Sequence, residues 1–124
     1  MQKREASFTI QFRHWLKANP MASSSFELKQ TTTDSIPFNA VKEHQLDALL
    51  ACRYEGLLYK IPDDSMGIKP FDLVYLRNAY SWVVIKYSDC FVIIDSEVFK
   101  LEMERSKRKS LTSSRAKEIA WKTI

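Results

Sequence analysis

Four short apolar runs separated by turn residues limit the fold of this chain more than any other feature. They are LLYKI at 57–61, FDLVYL at 71–76, SWVVIKY at 81–87 and CFVIID at 90–95. Branched and aromatic residues in runs of this length, bounded by Pro-Asp-Asp, Asn-Ala and Ser-Asp turns, predict β-strands. The second half of the chain is therefore expected to form a sheet.

Helical periodicity occurs in three other places. Residues 3–18 repeat apolar side chains every three or four positions until Asn19-Pro20, residues 39–54 do so until Gly56, and a short helix near the carboxyl end is expected to begin at Ser113 or Ser114. The segment SSSFELKQ at 23–30 predicts a further strand, followed by a polar loop. The charged residues 103–109 are expected to be exposed.

The predicted order of elements is therefore α-β-α-β-β-β-β-α. It indicates a mixed α/β (α+β) fold with a single mixed β-sheet flanked by helices. The 124 residues and 14.5 kDa match one domain, 1–124, whose last part, about 103–124, is basic.

Membrane and secreted classes are not expected. No apolar run approaches the roughly 20 residues of a membrane span, and the first twelve residues lack the apolar core of a secretion signal. Cys52 and Cys90 have no metal-ligand spacing, which favours reduced, structural thiols. We expect a cytoplasmic, intracellular protein, encoded either by a cell or by a virus such as a phage.

Positive charge is concentrated at the two ends of the sequence, in a chain whose net charge is +4. Such ends can neutralise phosphates, which favours a nucleic-acid partner, although a solvated basic tail without a partner explains the charge equally well. The candidate nucleic-acid-binding residues are Lys3, Arg4, Arg105, Lys107, Arg108 and Lys109.

The clearest chemical signal is Glu27-Leu28-Lys29. Side chains alternate along a strand, so the carboxylate of Glu27 and the ammonium of Lys29 share one face. An oxygen ligand for a hard cation beside a positive charge suits the hydrolysis of a phosphodiester. An isolated match of this kind is also what an ordinary surface ion pair produces.

Two further polar residues lie on apolar helix faces. Gln45 falls within the inward stripe of the helix at 39–54, and Glu5 lies on or beside the stripe of the first helix. Each has a structural alternative: Gln45 as a buried amide bonded to backbone, and Glu5 as an acid at a helix amino terminus.

Taken in order, the segments FELKQTTT, IPFNAV, KEHQLDALL and EGLLYKI resemble the PD-(D/E)xK nuclease superfamily. The similarity is closest to the RecU-like Holliday junction resolvases and small phage nucleases, and it covers about residues 5–61. It implies a restriction-endonuclease-like core in which Glu27 binds Mg²⁺ or Mn²⁺. It also implies that Lys29 activates the attacking water, Gln45 positions the lysine, water or phosphate, and Glu5 adds a metal or water ligand.

The sequence departs from that family at one position. The family places an aspartate on the strand before Glu-x-Lys, but residues 6–26 contain no aspartate. Either the chain is inactive, or the acid comes from elsewhere. Asp72 is our candidate for the missing metal ligand, on the view that the strands 71–76 and 81–87 form the missing hairpin in a rearranged strand order. Asp63 and Asp64 are the alternatives.

These observations predict a metal-dependent DNA endonuclease acting in DNA recombination on branched DNA such as Holliday junctions, and working as a homodimer because symmetric cutting needs two sites. A simpler duplex or single-strand nuclease would use the same residues. The alternatives are a catalytically inactive nuclease fold that binds DNA or protein, and a basic interaction module in which Glu27 and Lys29 form a surface pair.

Overall fold

The computed structural model describes the backbone of residues 2–124 and the side chains of residues 7–124. The α-helices in this part of the chain are α1 (Gln2–Ala18), α2 (Glu43–Arg53), α3 (Ser96–Arg105) and α4 (Ser113–Ile119), with a 3₁₀ turn at Phe38–Ala40. The strands are β1 (Ser24–Gln30), β2 (Ser35–Pro37), β3 (Leu57–Lys60), β4 (Leu73–Leu76), β5 (Tyr80–Lys86), β6 (Phe91–Asp95), β7 (Ser110–Thr112) and β8 (Lys122–Thr123).

The central sheet has the strand order β1-β5-β6-β8. Strand β1 runs parallel to β5, and the other two pairings are antiparallel. Val83, Val84 and Ile85 of β5 are completely buried because this strand lies inside the sheet and is covered on both faces. The expected class, a mixed α/β fold with one mixed sheet flanked by helices, is confirmed.

Alternation along the strands divides the core into two layers. On one face, Phe8 and Phe12 of α1 pack on Trp82, Val84 and Ile93. Opposite them, α2, α3 and α4 cover the other face of the sheet. The residues of that second layer are Leu46, Leu49, Phe99 and Ala116 from the helices and Val83, Ile85, Val92 and Ile94 from the strands. Helix α1 therefore covers the Phe26 and Leu28 face of β1, and the alternate residues of β1 face α2.

Helix α3 was not predicted from the sequence; within the segment 103–109, Met103 packs against the core, whereas Glu104, Arg105 and the three cations 107–109 are exposed as expected. Asp95 caps the helix by accepting hydrogen bonds from the backbone N–H groups of Glu97 and Val98. Phe99 is buried, whereas Leu101 is exposed, so the apolar stripe is too sparse to predict a helix. The cap of α4 is likewise Thr112 and not Ser113 or Ser114.

The predicted hairpin of 71–76 with 81–87 does not form. Strand β4 pairs instead with β3 as a separate two-stranded antiparallel sheet, in which Leu58 lies opposite Tyr75 and Lys60 opposite Leu73. Both edges of β5 are already occupied, by β1 and by β6, so β4 has no edge of β5 to pair with. Asp72 is therefore not positioned beside Glu27 by a hairpin of β4 with β5.

Smaller predictions are also settled. The helix expected at 39–54 begins as the separate 3₁₀ turn and then continues as α2, and the expected polar loop contains β2, which pairs with β7. Cys52 and Cys90 are buried free thiols, as predicted. None of the described helices is both long and apolar enough to cross a membrane.

Candidate active site

Glu27 and Lys29 lie side by side on β1, on the sheet face that α2 covers. Their side chains form an ion pair of 3.2 Å between Oε2 and Nζ and are 25% and 21% exposed, respectively. Their neighbours on the same face are Val83 and Ile85 of β5, which are opposite them in register and completely buried. The pair is therefore partly shielded from water by an apolar wall, where charges interact more strongly than on an open surface.

Gln45 lies in the first turn of α2, on the stripe that also carries Leu49 and Cys52. The end of α2 is near the start of β5, because the backbone N–H of Ala79 donates to the carbonyl oxygen of Cys52 at 3.0 Å. Helix α2 therefore runs back along the sheet, and its first turn lies toward the end of β1 that carries Lys29. This direction of α2 is consistent with the expectation that Gln45 lies near Lys29.

The carbonyl oxygen of the Gln45 side chain already has a partner. Oε1 accepts a hydrogen bond of 2.9 Å from the backbone N–H of Lys42. For the carbonyl oxygen of Gln45, the interpretation as an amide hydrogen-bonded to backbone is therefore correct. Only the NH₂ group of Gln45 can donate to a phosphate, a water or a carboxylate.

Ser25 was not singled out from the sequence, although it shares the face of Glu27 and Lys29 by the same alternation. Its Oγ is buried and has no hydrogen-bond partner among the described residues. The adjacent position in the sheet is Ser81, whose Oγ shares a hydrogen bond with Ser96. Buried hydroxyls are nearly always hydrogen-bonded, so Ser25 is a further polar group on the face of Glu27 that the alternation rule alone would have identified.

Asp72 lies just before β4 and its side chain is 80% exposed. Its carboxylate forms an ion pair of 3.0 Å with Lys69, which also contacts Asp63. Asp64 accepts hydrogen bonds from the backbone N–H groups of Met66 and Ile68, so it stabilises a turn. All three candidate aspartates are engaged within their own loop.

A complete metal site is not assembled by these side chains. Within residues 7–124, no three His, Cys, Asp or Glu residues are grouped so as to hold a metal ion. Glu27 is thus the acid that the structure places at the candidate site, and Asp72 as second ligand stays a prediction. Glu5, Lys3 and Arg4 lie outside the residues whose side chains are described.

Three exposed cations, Lys107, Arg108 and Lys109, form a loop between α3 and β7, which we call the basic loop. The backbone N–H of Phe38 donates to the carbonyl oxygen of Lys109 at 3.0 Å and ties this loop to the 3₁₀ turn before α2. A cavity of about 730 Å³ separates the basic loop from the first two turns of α2. Its lining carries Lys100 and the basic loop, together with Glu43, Asp47 and Glu104.

The basic loop and the Lys29 end of β1 thus both lie toward the end of the central sheet at which α2 begins. Arg105, in the last turn of α3, is exposed near the same loop.

No protein-family model matches this sequence, and no curated protein matches it. The resemblance to PD-(D/E)xK nucleases consequently depends on the motifs of the chain itself and on the positions of their residues.

Proposed function

We propose that this protein is a metal-dependent DNA endonuclease whose catalytic residues include Glu27 and Lys29. The observation that carries the proposal is the geometry of this pair: a carboxylate and an ammonium 3.2 Å apart, on one strand, against a buried wall. An ordinary surface pair would be solvated on most sides. Here the sheet and α2 provide a fixed, partly dry position, which suits stabilisation of charge that develops in a transition state.

The donor chemistry of the site fits Mg²⁺ or Mn²⁺. Mg²⁺ keeps several water ligands and needs only one or two protein carboxylates in addition to substrate phosphates. Glu27 would be the first of these carboxylates. When bound, such an ion supplies charge neutralisation and a water of lowered pKa.

The roles proposed for the chain's own residues are those that the resemblance implies, and their positions in the fold are compatible with them. Glu27 would hold the cation, and Nζ of Lys29, which lies 3.2 Å from Oε2 of Glu27, would orient the attacking water and stabilise the charge on the phosphate oxygens. The NH₂ group of Gln45 donates to a phosphate or to that water.

We further propose that Asp72 reaches the site through the free edge of β1. Strand β1 pairs with β5 on one side and with no strand of the described chain on the other, and β4 likewise has a free edge. Three residues after β4, β5 begins beside β1, where the backbone N–H of Tyr80 donates to Ser23. Placed along β1, β4 would run antiparallel to it and bring Asp72 toward Glu27. The exposed ion pair of Asp72 with Lys69 is weak enough to open.

Branched DNA is the substrate that we propose, with a homodimer as the active form, since paired cuts need two sites. The basic loop would contact phosphates without reading the base sequence. Lys3, Arg4 and Arg105 are the other proposed phosphate contacts, and Glu5 stays a proposed ligand on α1.

A second candidate function has one specific observation in its favour. The acids grouped at Glu27 are too few for a complete metal site among the side chains described. A nuclease fold that has lost catalysis and binds DNA or a protein would have this property. In such a protein the Glu27–Lys29 pair would be structural, and its removal would leave binding unchanged.

The test is cleavage of labelled four-way junction, duplex and single-stranded DNA with Mg²⁺, Mn²⁺ or EDTA. Glu27→Gln and Lys29→Met should each abolish cleavage and leave DNA binding intact. Glu55→Gln and Lys122→Met, exposed residues of the same types away from the site, serve as matched controls and should cut normally. Asp72→Asn should lose cleavage if β4 delivers its acid. Wild-type protein that binds DNA but cuts none of the three substrates would favour the second candidate.

A further inference from the structure

The β3–β4 sheet exposes an unusually apolar surface. Leu58, Leu73 and Tyr75 lie on one of its faces together with Lys60, and three more apolar residues precede β4 in the connecting segment. The six apolar residues are between 53% and 75% exposed. We call this set the hairpin surface: Leu58, Met66, Ile68, Phe71, Leu73 and Tyr75.

The hairpin surface is formed by a defined local structure. Gly56 has φ +95, and a Cβ at that position would collide with the ring of Tyr75. The ring therefore lies over the glycine backbone at the base of the hairpin. A two-stranded sheet is marginally stable alone, so a hairpin fixed in this way is expected to bury its open face against something.

We propose that the hairpin surface binds the hairpin surface of a second copy of this chain. Six large apolar side chains that are more than half exposed present roughly 100 Å² each, or about 600 Å² together. Each partner in a standard interface contributes about 800 Å². The apolar side chains of the hairpin surface therefore reach about the lower end of the standard range, roughly 600–1,000 Å² per partner.

The shape of the hairpin also suits two-fold symmetry. Strands β3 and β4 each have one edge that no strand of the described chain occupies. In a two-fold dimer the same patch meets itself, and antiparallel edges can pair strand to strand across the axis. Contact between two copies would cover the apolar face and could fill an open edge as well.

Charge makes other occupants less suitable. The segment 57–76 contains the lysines Lys60 and Lys69 against the aspartates Asp63, Asp64 and Asp72, which is two positive and three negative charges, or −1. That charge does not attract a nucleic acid or an anionic lipid surface. The cations suited to phosphate lie in the basic loop, on another part of the molecule.

The inference deepens the proposed function, because it names the surface through which two active sites would be joined. The dimer contact needs only the apolar face of the hairpin, and the edge open to a second copy is that of β3, so the edge of β4 stays available for Asp72 to act within each copy. The dimer can be measured without any reference to cleavage.

The experiment is light scattering after size-exclusion chromatography, on wild type and on the double variant Leu58→Glu with Leu73→Glu. Wild type should have twice the chain mass of 14.5 kDa, and the double variant should have half the wild-type mass. Leu101→Glu, at an exposed leucine of α3, is the matched control and should stay dimeric. Met66→Glu, which changes the most exposed residue of the surface, should also weaken the dimer and tests the inference if the double variant does not fold.

Two results would overturn the inference: a monomeric wild type at the highest soluble concentration, or variants of the hairpin surface that remain dimeric. A dimer that cuts no DNA would refute the proposed function and leave the inference standing. A monomer that cuts DNA would overturn the inference and the proposed homodimer, and would leave the assignment of the nuclease site to Glu27 and Lys29 standing.

Discussion

Replacing Asp95 by alanine removes two interactions that one carboxylate makes, and their sum predicts a clear loss of stability. Oδ1 caps α3 by accepting from the N–H groups of Glu97 and Val98 at 2.8 and 3.3 Å. Oδ2 accepts from Arg53 of α2 at 2.7 Å. The carboxylate thus joins α2 to the junction between β6 and α3.

The magnitude follows from these contacts. Loss of a helix N-cap costs about 1 kcal/mol. The side chains of the ion pair are partly shielded from water, since Arg53 is 18% and Asp95 23% exposed. We therefore assign this pair about 1 kcal/mol, which is the upper end of what exposed pairs contribute. We therefore expect Asp95→Ala to lower the free energy of unfolding by about 2 kcal/mol. Asp95→Asn should lose only about half of this, because asparagine caps as well as aspartate does.

Urea unfolding followed by circular dichroism measures both variants. A double-mutant cycle with Arg53→Leu should give a coupling energy of about 1 kcal/mol for the ion pair. If Asp95→Ala unfolds with the wild-type free energy, or if Asp95→Asn costs as much as alanine, the division into cap and ion pair is refuted.

Three other outcomes are expected. Gly56→Ala should lower the free energy of unfolding by about 1–3 kcal/mol, because the residue has positive φ and Tyr75 occupies the space of a Cβ; an unchanged urea midpoint would contradict this. Arg115, hydrogen-bonded to Glu102, holds the pKa of that carboxyl below its ordinary value. The stability that this ion pair contributes is present above the unfolded pKa of about 4.3 and is lost as the pH falls through the lower folded pKa. The difference in free energy of unfolding between wild type and Glu102→Gln, measured in urea, should therefore disappear in acid. A difference that persists in acid would exclude the ion pair as its source. Glutamine at all three positions of the basic loop should weaken DNA binding regardless of sequence and reduce the salt dependence of the binding constant by about 3 in slope; an unchanged slope would show that the loop does not contact phosphate.

The elements with strong local periodicity were predictable from the sequence. Helix α1 has a regular aromatic and leucine stripe, and β5 and β6 are continuous apolar runs, which is what burial of a strand on both faces requires. Alternation along β1 was sufficient to place Glu27 and Lys29 on one face, and their ion pair confirms it. The same rule includes Ser25, whose unpartnered hydroxyl only the packed structure reveals.

The pairing of strands was not predictable from the sequence, because it depends on which edges remain free after the core has formed. The strand at 71–76 is followed directly by β5, and a hairpin between them was the local expectation. Because β1 and β6 pair with the two edges of β5, β4 pairs with β3 instead. The position of Asp72 depends on this pairing, so the second acid of the site could not be placed from sequence spacing.

Helix α3 was not predicted for a different reason. Its buried contact is largely Phe99, and its start is fixed by Asp95, which sequence analysis assigned to the end of a strand. The ion pair of Glu102 with Arg115 of α4 adds a contact between distant parts of the chain. A helix with so few apolar side chains has too little periodicity to be recognised locally.

The most direct test of the central claim is single-turnover cleavage of a four-way DNA junction with excess protein, in Mg²⁺ and in EDTA, by wild type and Glu27→Gln. The proposal predicts metal-dependent cuts by wild type and none by Glu27→Gln, with equal junction binding by both. Cleavage that persists in Glu27→Gln, or a wild type that binds the junction without cutting it in Mg²⁺ or Mn²⁺, would contradict the assignment of a nuclease site to β1.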